Sequence, residues 1–583
     1  MSRFFAPGRK TMNIEGSRSS ALEMARSRLA FVAAVFVLAY SLIEIRVFDL
    51  TILQGELERR VAGNYAAVTD HEKEHVRRAD IVDRNGVLLA ATVKTASLYA
   101  DPEMILDPVV SARGITDIFP ELNYEEVLEK LKSNRRFVWI YRNLTPEEQA
   151  KVLELGDPGL NFKAESRRIY PQRQLTSHVA GFTDIDGRGL SGIERGLDKR
   201  LSEGGAPVKL SIDIRVQYLL HREMSRAVSK FNAKGGSGLV MDVNTGEIMA
   251  AVSLPDFDPN LPGKAAKSEL FNKFTLGVYE PGSIFKIFSM AALIESGDFS
   301  MSDKFDVREP LKRDYFTIRD YHPKKRVLQL PEVFIYSSNI GSALIGERLG
   351  RERLKNFYDD LGFFDAPLYI NIPETGRPLL PDPWRTTSTL TVSYGHGISV
   401  SPLQIISAVS TVIGDGTYVR PVFLCRDNTD SGEKYVPPSP ELRVVSPETV
   451  LRMRQLMRLA VTDGTGSKAE VPGYQVGGKT GTAEKAENGV YVHNRLLSSF
   501  VGVFPMKDPK YAVLIMIDEP EGTQESHGYA TGGWVAAPAV GHVIASMGAL
   551  LGIPVQGTEQ DQLAAPLRKY VKPEGKERHF ASY

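Results

Sequence analysis

A chain of 583 residues is too long for one ordinary domain and long enough to bury large cores. Its 71 basic and 71 acidic residues cancel, so no polycationic surface for nucleic acid is implied, and 42% hydrophobic with 24% charged residues is a globular composition. The single cysteine, Cys425, excludes an intramolecular disulfide and a Cys-rich metal site, and no H-E-x-x-H pair occurs among the histidines, which argues against a metal enzyme.

The stretch "LAFVAAVFVLAYSLI" (29–43) is free of charge and follows a tail bearing Arg3, Arg9, Lys10, Arg18, Arg26 and Arg28. This pattern predicts a transmembrane anchor over 29–50, with the basic tail 1–28 cytoplasmic and the rest of the chain across the membrane. The run is shorter than the roughly 20 apolar residues a span prefers. Arg28 can snorkel, however, and the apolar pattern resumes after Glu44 and Arg46. The same stretch also fits a cleaved signal peptide, because "AYS" (39–41) resembles a small-x-small cleavage site.

Residues 51–208 mix short strand-like runs such as "TASLYAD" with charged helical patterns such as "YEEVLEKLKS", and "DRNG" (83–86) signals a turn between two β-prone runs. Nothing in this region gathers a nucleophile, a base and oxyanion donors, so it reads as a spacer or docking module. From "LSIDIRVQ" onward, residues 209–551 change character. "GSGLVMDV", "NTG" and "EIMAAVS" read as strand, tight turn and strand. Helical patterns follow, and "GGKTGTAEK", "LSSFVGVFP" and "YAVLIMIDEP" are three late strand candidates. Two strands early and three late, with helices between, predict one sheet with helices packed on its faces. Residues 552–583 are polar with prolines and are expected to form a loose tail.

Two Ser-x-x-Lys pairs occur, Ser283 with Lys286 and Ser431 with Lys434, and about two are expected by chance in a chain of this size. Context separates them. Ser431 lies in the polar, turn-rich "RDNTDSGEKYVPP". Ser283 follows "EPG" and opens "SIFKIFSMAALIESG", a run apolar nearly all round that predicts a buried helix. Three residues apart on a helix, the two side chains share a face. Burial there favours the neutral, proton-accepting lysine, and a helix N-terminus favours a developing oxyanion. Two further triplets each occur once in their chemical form: Ser-x-Asn at Ser337–Asn339 and Lys-Thr-Gly at Lys479–Gly481. Alone each reads equally well as a helix cap or a strand turn. In this order the three match the serine enzymes that recognise penicillin, with Ser283 as nucleophile.

With these residues the chain resembles a class B penicillin-binding protein, most of all the division-specific (septal) peptidoglycan D,D-transpeptidases. The resemblance runs from the anchor to about residue 551 through "RADIVDRNGVLLA", "GLSGIERGLDKRL", "YEPGSIFKIF", "SYGHGISVSPLQ", "GGKTGTA" and "GGWVAAP". Departures are small: Ala79 and Ser393 stand where glycine is usual, and Ser401 where threonine is. The resemblance implies a membrane-anchored multidomain α+β protein: a mixed α/β pedestal over 51–208, then a transpeptidase domain over 209–551. That domain would hold an antiparallel five-stranded sheet flanked by helices, as in serine β-lactamases.

It further implies that Ser283 attacks the carbonyl between the terminal D-alanines of a peptidoglycan stem peptide, with Lys286 as general base. Ser337 would relay protons, and Asn339 would bind the substrate backbone and orient Lys286. Lys479, Thr480 and Thr482 would hold the substrate carboxylate, and the backbone N–H groups of Ser283 and Thr482 would form the oxyanion hole. Gly481, lacking a Cβ, would let substrate lie alongside as an added strand. An amine of a second stem would then accept the acyl group, and β-lactams would trap the same serine. No cofactor is implied. The implied partners are a SEDS-type glycan polymerase and divisome membrane proteins, in the bacterial inner membrane at the division site, with the catalytic domain periplasmic.

Other enzymes share the triplets. A class A β-lactamase needs a Glu-x-x-Leu-Asn string, which does not occur between Asn339 and Lys479. A glycan polymerase domain has no room in 51–208. The elongation-specific relative, a D,D-carboxypeptidase using water as acceptor, and a non-catalytic β-lactam sensor or scaffold remain as alternatives at this level.

Overall fold

The computed structural model describes residues 31, 34–44, 77–313, 316–367, 370–426, 442–487, 490–556 and 562–572, and the chain divides into two units, 1–76 and 77–583. In the first unit residues 34–44 are helical and exposed. Among the described residues no helix is long and apolar enough to cross a membrane. The basic tail, the remainder of the expected anchor, residues 51–76 and the Ser431–Lys434 pair lie outside the described residues.

The second unit begins with the turn that "DRNG" announces. Asp83 Oδ1 accepts the N–H groups of Asn85 and Val87 at 2.8 Å each, reversing the chain between β1 (Ile81–Val82) and β2 (Leu88–Ala100). β2 pairs antiparallel with β3 (Val138–Leu144) and with β4 (Leu160–Ile169), and β1 pairs parallel with β5 (Val208–Lys209). The run "YEEVLEKLKS" forms the helix Tyr124–Leu131, its N-terminus capped by Asn123. It buries Val127 and Leu131 against Leu98, Phe119 and Ile140. Deeper in the fold, Glu194 receives Arg78 Nε and Arg168 Nε at 2.7 Å each. Its side chain is fully buried, and two arginines share the task of compensating its charge.

The catalytic sheet is made by β6 (Gly235–Asp242), β7 (Ile248–Leu254), β8 (Gly477–Glu487), β9 (Val490–Phe504) and β10 (Tyr511–Asp518). All pairings are antiparallel, in the order β8-β9-β10-β6-β7. The two early strands and three late ones thus form one sheet, joined where β10 meets β6. This leaves β8, which carries Lys-Thr-Gly, as an edge strand. β7 is buried at every residue and β6 nearly so, because helices cover both faces of the sheet.

The helices that matter for the site are α1 (Ile214–Lys230), α2 (Lys286–Glu295), α3 (Asn339–Leu349), α4 (Pro402–Ile413), α5 (Pro447–Thr462) and α6 (Ala536–Leu550). Val216, Leu220 and Met224 of α1 and Val540 and Ile544 of α6 pack with Phe500, Val513 and Ile515. Leu239, Met241, Leu514 and Met516 belong to the second core, with α2, α4 and α5. As the all-round apolar run predicts, α2 is buried from Lys286 to Ile294. Phe288 packs edge-on to Phe285 and Phe363, at centroid distances of 5.2 and 4.9 Å. At the start of α4, the Ser401 hydroxyl accepts the Gln404 N–H at 3.3 Å and Gln404 Oε1 accepts the Ser401 N–H at 3.0 Å. Serine thus supplies the same reciprocal cap as the more usual threonine.

One expectation needs correction. The region beyond residue 551 is not wholly a loose tail, because Ala564 and Leu567 are buried in the main core beside a short helix, Ala565–Arg568. Arg568 reaches Asp463 at 3.2 Å, and the Lys572 N–H donates to Glu332 at 3.0 Å. Leu563, Leu567, Tyr570 and Val571 pack on this core at i, i+4, i+7, i+8 spacing, a short periodic signal that the polar composition of the whole region hides. Leu567→Ala should therefore cost about 2–4 kcal/mol in urea unfolding; a variant as stable as the parent would restore the loose-tail reading.

Candidate active site

Ser283 sits in a short 3₁₀ turn, Gly282–Phe285, that runs directly into α2, so Lys286 is the first α-helical residue. This differs from the uniform α-helix expected, and it matters for geometry. In a three-residue turn the side chains at i and i+3 eclipse, and Lys286 Nζ lies 3.0 Å from Ser283 Oγ.

Lys286 is 1% exposed. Its Nζ lies 2.5 Å from the Ser337 carbonyl, 2.7 Å from Asn339 Oδ1 and 3.1 Å from Ser337 Oγ. The carbonyl and the amide oxygen can only accept. A neutral amine spends its two N–H groups on them and keeps its lone pair for a hydroxyl. Burial pulls the Lys286 pKa down to about 7, against the opposing pull of the Asp320 carboxylate. The Asn339 amide is oriented by its own donor, since Nδ2 donates to the Arg319 carbonyl at 3.1 Å and turns Oδ1 toward Lys286.

Ser337 follows the helix Leu330–Ile335 and stands just before α3, in a left-handed conformation with φ +58°. A non-glycine residue held there stores strain that the surroundings must impose. Its Oγ lies between two amines, 3.1 Å from Lys286 and 2.9 Å from Lys479. Lys479, on edge strand β8, is fully buried. Burial and then the neighbouring Lys286 charge hold its pKa well below the usual lysine range.

Along β8, the Thr480 hydroxyl is within 2.9 Å of the Thr465 hydroxyl, and Thr482 Oγ1 accepts the Gly532 N–H at 3.1 Å. Gly481 also has a reason within the fold. A Cβ there would come within 2.3 Å of Ser499 Oγ and 2.8 Å of the Pro281 carbonyl, so this chain's own segments occupy the space. Gly282 (φ +55°) is equally tight, with a Cβ reaching 2.6 Å from the Thr482 carbonyl. The turn bearing Ser283 and β8 therefore touch backbone to backbone. Every site residue expected from sequence is gathered here: Ser283, Lys286, Ser337, Asn339, Lys479, Thr480, Gly481 and Thr482.

Sequence reasoning missed several neighbours. Asp320 accepts the Ser338 hydroxyl at 2.8 Å and the Ile340 N–H at 2.9 Å, pinning the start of α3. Glu280, three residues before the serine, accepts the Gly397 N–H and the Tyr491 hydroxyl at 3.0 Å each. His396, from "YGHG", packs between Tyr394 and Tyr491 with ring centroids 5.2 and 5.5 Å away. Burial, then the Lys286 charge, pushes its pKa down to about 4, so it is neutral at neutral pH. The strings "EPG" and "YGHG" were legible as motifs, but their meeting is a contact across more than a hundred residues.

Comparison with known proteins agrees with this geometry. The family described as penicillin binding protein transpeptidase domain matches residues 236–544, and the penicillin-binding protein dimerisation domain matches 73–206. A probable peptidoglycan D,D-transpeptidase FtsI from Caulobacter vibrioides is 39% identical over 492 residues, 82% of each chain. The peptidoglycan D,D-transpeptidase FtsI of Escherichia coli is 29% identical over 506 residues, 80% of this chain and 82% of that one. Among solved structures, penicillin binding protein 3 from Mycobacterium tuberculosis, complexed with ampicillin, aligns with a TM-score of 0.67 at 25% identity. The alignment covers 84% of this chain and 98% of that one.

Proposed function

The chain belongs to the class B penicillin-binding proteins and is a peptidoglycan D,D-transpeptidase, and we propose that it makes the cross-links of the division septum through an acyl-enzyme on Ser283. One observation carries the mechanism: Lys286 Nζ, buried and 3.0 Å from Ser283 Oγ, has both N–H groups engaged by acceptor-only oxygens when neutral.

In this reading Ser283 Oγ adds to the carbonyl between the two terminal D-alanines as its proton moves to Lys286. The backbone N–H groups of Ser283 and Thr482 take the developing oxyanion, an arrangement commonly worth about 3 kcal/mol per donor. Lys479, Thr480 and Thr482 hold the terminal carboxylate, whose charge compensates a protonated Lys479. The proton on Lys286 passes through Ser337 Oγ to the departing D-alanine amine as its C–N bond breaks. The amine of a second stem then forms a new C–N bond to the acyl carbon as the Ser283 Oγ–C bond breaks, and the amine's proton passes by Lys286 to the released Ser283 Oγ. β-Lactams, ampicillin among them, acylate Ser283 by the same first step. The anchor and the 51–208 region are the surfaces by which a SEDS-type glycan polymerase and divisome membrane proteins are met, with catalysis on the periplasmic side.

Fluorescent penicillin should label the wild type and leave Ser283→Ala unlabelled; a labelled mutant would remove the nucleophile from Ser283. Lys286 must be neutral to accept the proton, so the labelling rate should climb as pH rises through about 7 and level off above it. A rate flat from acid to alkaline pH would take the base role from Lys286. Depletion in cells should give filaments with blocked septa, whereas rounded cells would assign the enzyme to side-wall elongation.

A further inference from the structure

Thr465 lies in the turn that ends α5, outside all three motifs, yet it joins two of them. Its N–H donates to the Ile335 carbonyl at 3.3 Å, two residues before Ser337. Its hydroxyl lies 2.9 Å from that of Thr480, the central residue of Lys-Thr-Gly. Both threonines are buried, at 6% and 8% exposure. The preceding residue leaves little freedom, since a Cβ on Gly464 would fall 2.7 Å from the same Ile335 carbonyl.

The direction of the hydroxyl pair decides what Thr480 can do. Among the described residues, Thr480 is the hydrogen-bond partner of the Thr465 hydroxyl. If Thr480 donated to Thr465, its hydrogen would be spent and it would turn lone pairs toward any incoming carboxylate. If Thr465 donates instead, Thr480 accepts on a lone pair and its hydrogen remains for the ligand. Lys479 Nζ, at 3.5 Å from Thr480 Oγ1, is too distant to set that direction as well.

We propose that Thr465 is a positioning residue for the carboxylate end of the substrate: it donates to Thr480 and so points the Thr480 hydrogen at the free C-terminal carboxylate. The inference rests on the transpeptidase reading, in which Thr480 touches that carboxylate. It makes Thr465 part of what selects peptides ending in a free acid over amidated or esterified ones.

Acylation by benzylpenicillin and by its methyl ester tests this in Thr465→Val, Thr465→Ser and Thr480→Val. Valine keeps the shape of threonine without the hydroxyl. Thr465→Val should slow acylation by the free acid about 3- to 10-fold, the worth of one neutral hydrogen bond. The loss should appear in the binding constant and not in the limiting rate. The ester should react with Thr465→Val as it does with wild type, and Thr465→Ser should restore the free acid. Equal losses for acid and ester, no loss for either, or no rescue by serine would overturn the proposal. Thr480→Val separates the two layers. If it too treats acid and ester alike, the assignment of Thr480 to the carboxylate falls, and Thr465 with it. If only Thr480→Val discriminates, the role of Thr465 falls alone.

Discussion

Two buried lysine amines, Lys286 and Lys479, flank the half-buried hydroxyl of Ser337, and the rest of the site is arranged around that constraint. Neither amine can be charged there without cost, since burial opposes the ammonium and each amine repels a charge on the other. What burial removes in hydration, fixed oxygens replace: the Ser337 carbonyl, Asn339 Oδ1, and the hydroxyls of Ser283 and Ser337. The result is a desolvated amine held 3.0 Å from the Ser283 hydroxyl. The left-handed backbone of Ser337 is the strained element that lets its carbonyl and its hydroxyl serve the same amine.

Topology makes the arrangement reachable for a peptide. Because β6 and β7 attach beside β10, the strand bearing Lys-Thr-Gly ends at the sheet edge. The turn bearing Ser283 then packs onto β8 with no Cβ at either Gly282 or Gly481 to hold the backbones apart. α2 is buried along nearly its whole length and closed in by Phe285 and Phe363, so the first turn has a rigid mount. A serine on a mobile loop with the same spacing would have neither the desolvated base nor the fixed distance.

Much of this was legible in the chain. The alternating and continuous apolar runs located β6, β7 and the three late strands, and the all-round apolar run after "EPG" located α2. The unique Ser-x-Asn and Lys-Thr-Gly triplets identified the partners of Ser283. Less legible were features that depend on what lies opposite. Gly481 is small because Pro281 and Ser499 occupy its space, which no local pattern reveals. Leu567 is buried with Ala564 in the main core, and Leu563, Tyr570 and Val571 pack beside them, although the region as a whole is polar.

By itself the sequence determined the family and the order of the chemical groups along the chain, because these depend on residue type and local spacing. Tertiary structure alone decided the lowered pKa of Lys286, the hydroxyl shared between two amines and the hydroxyl pair linking Thr465 to Thr480. Those properties arise from burial and from distances of about 3 Å between segments far apart in sequence, and neither exists until the chain has closed on itself.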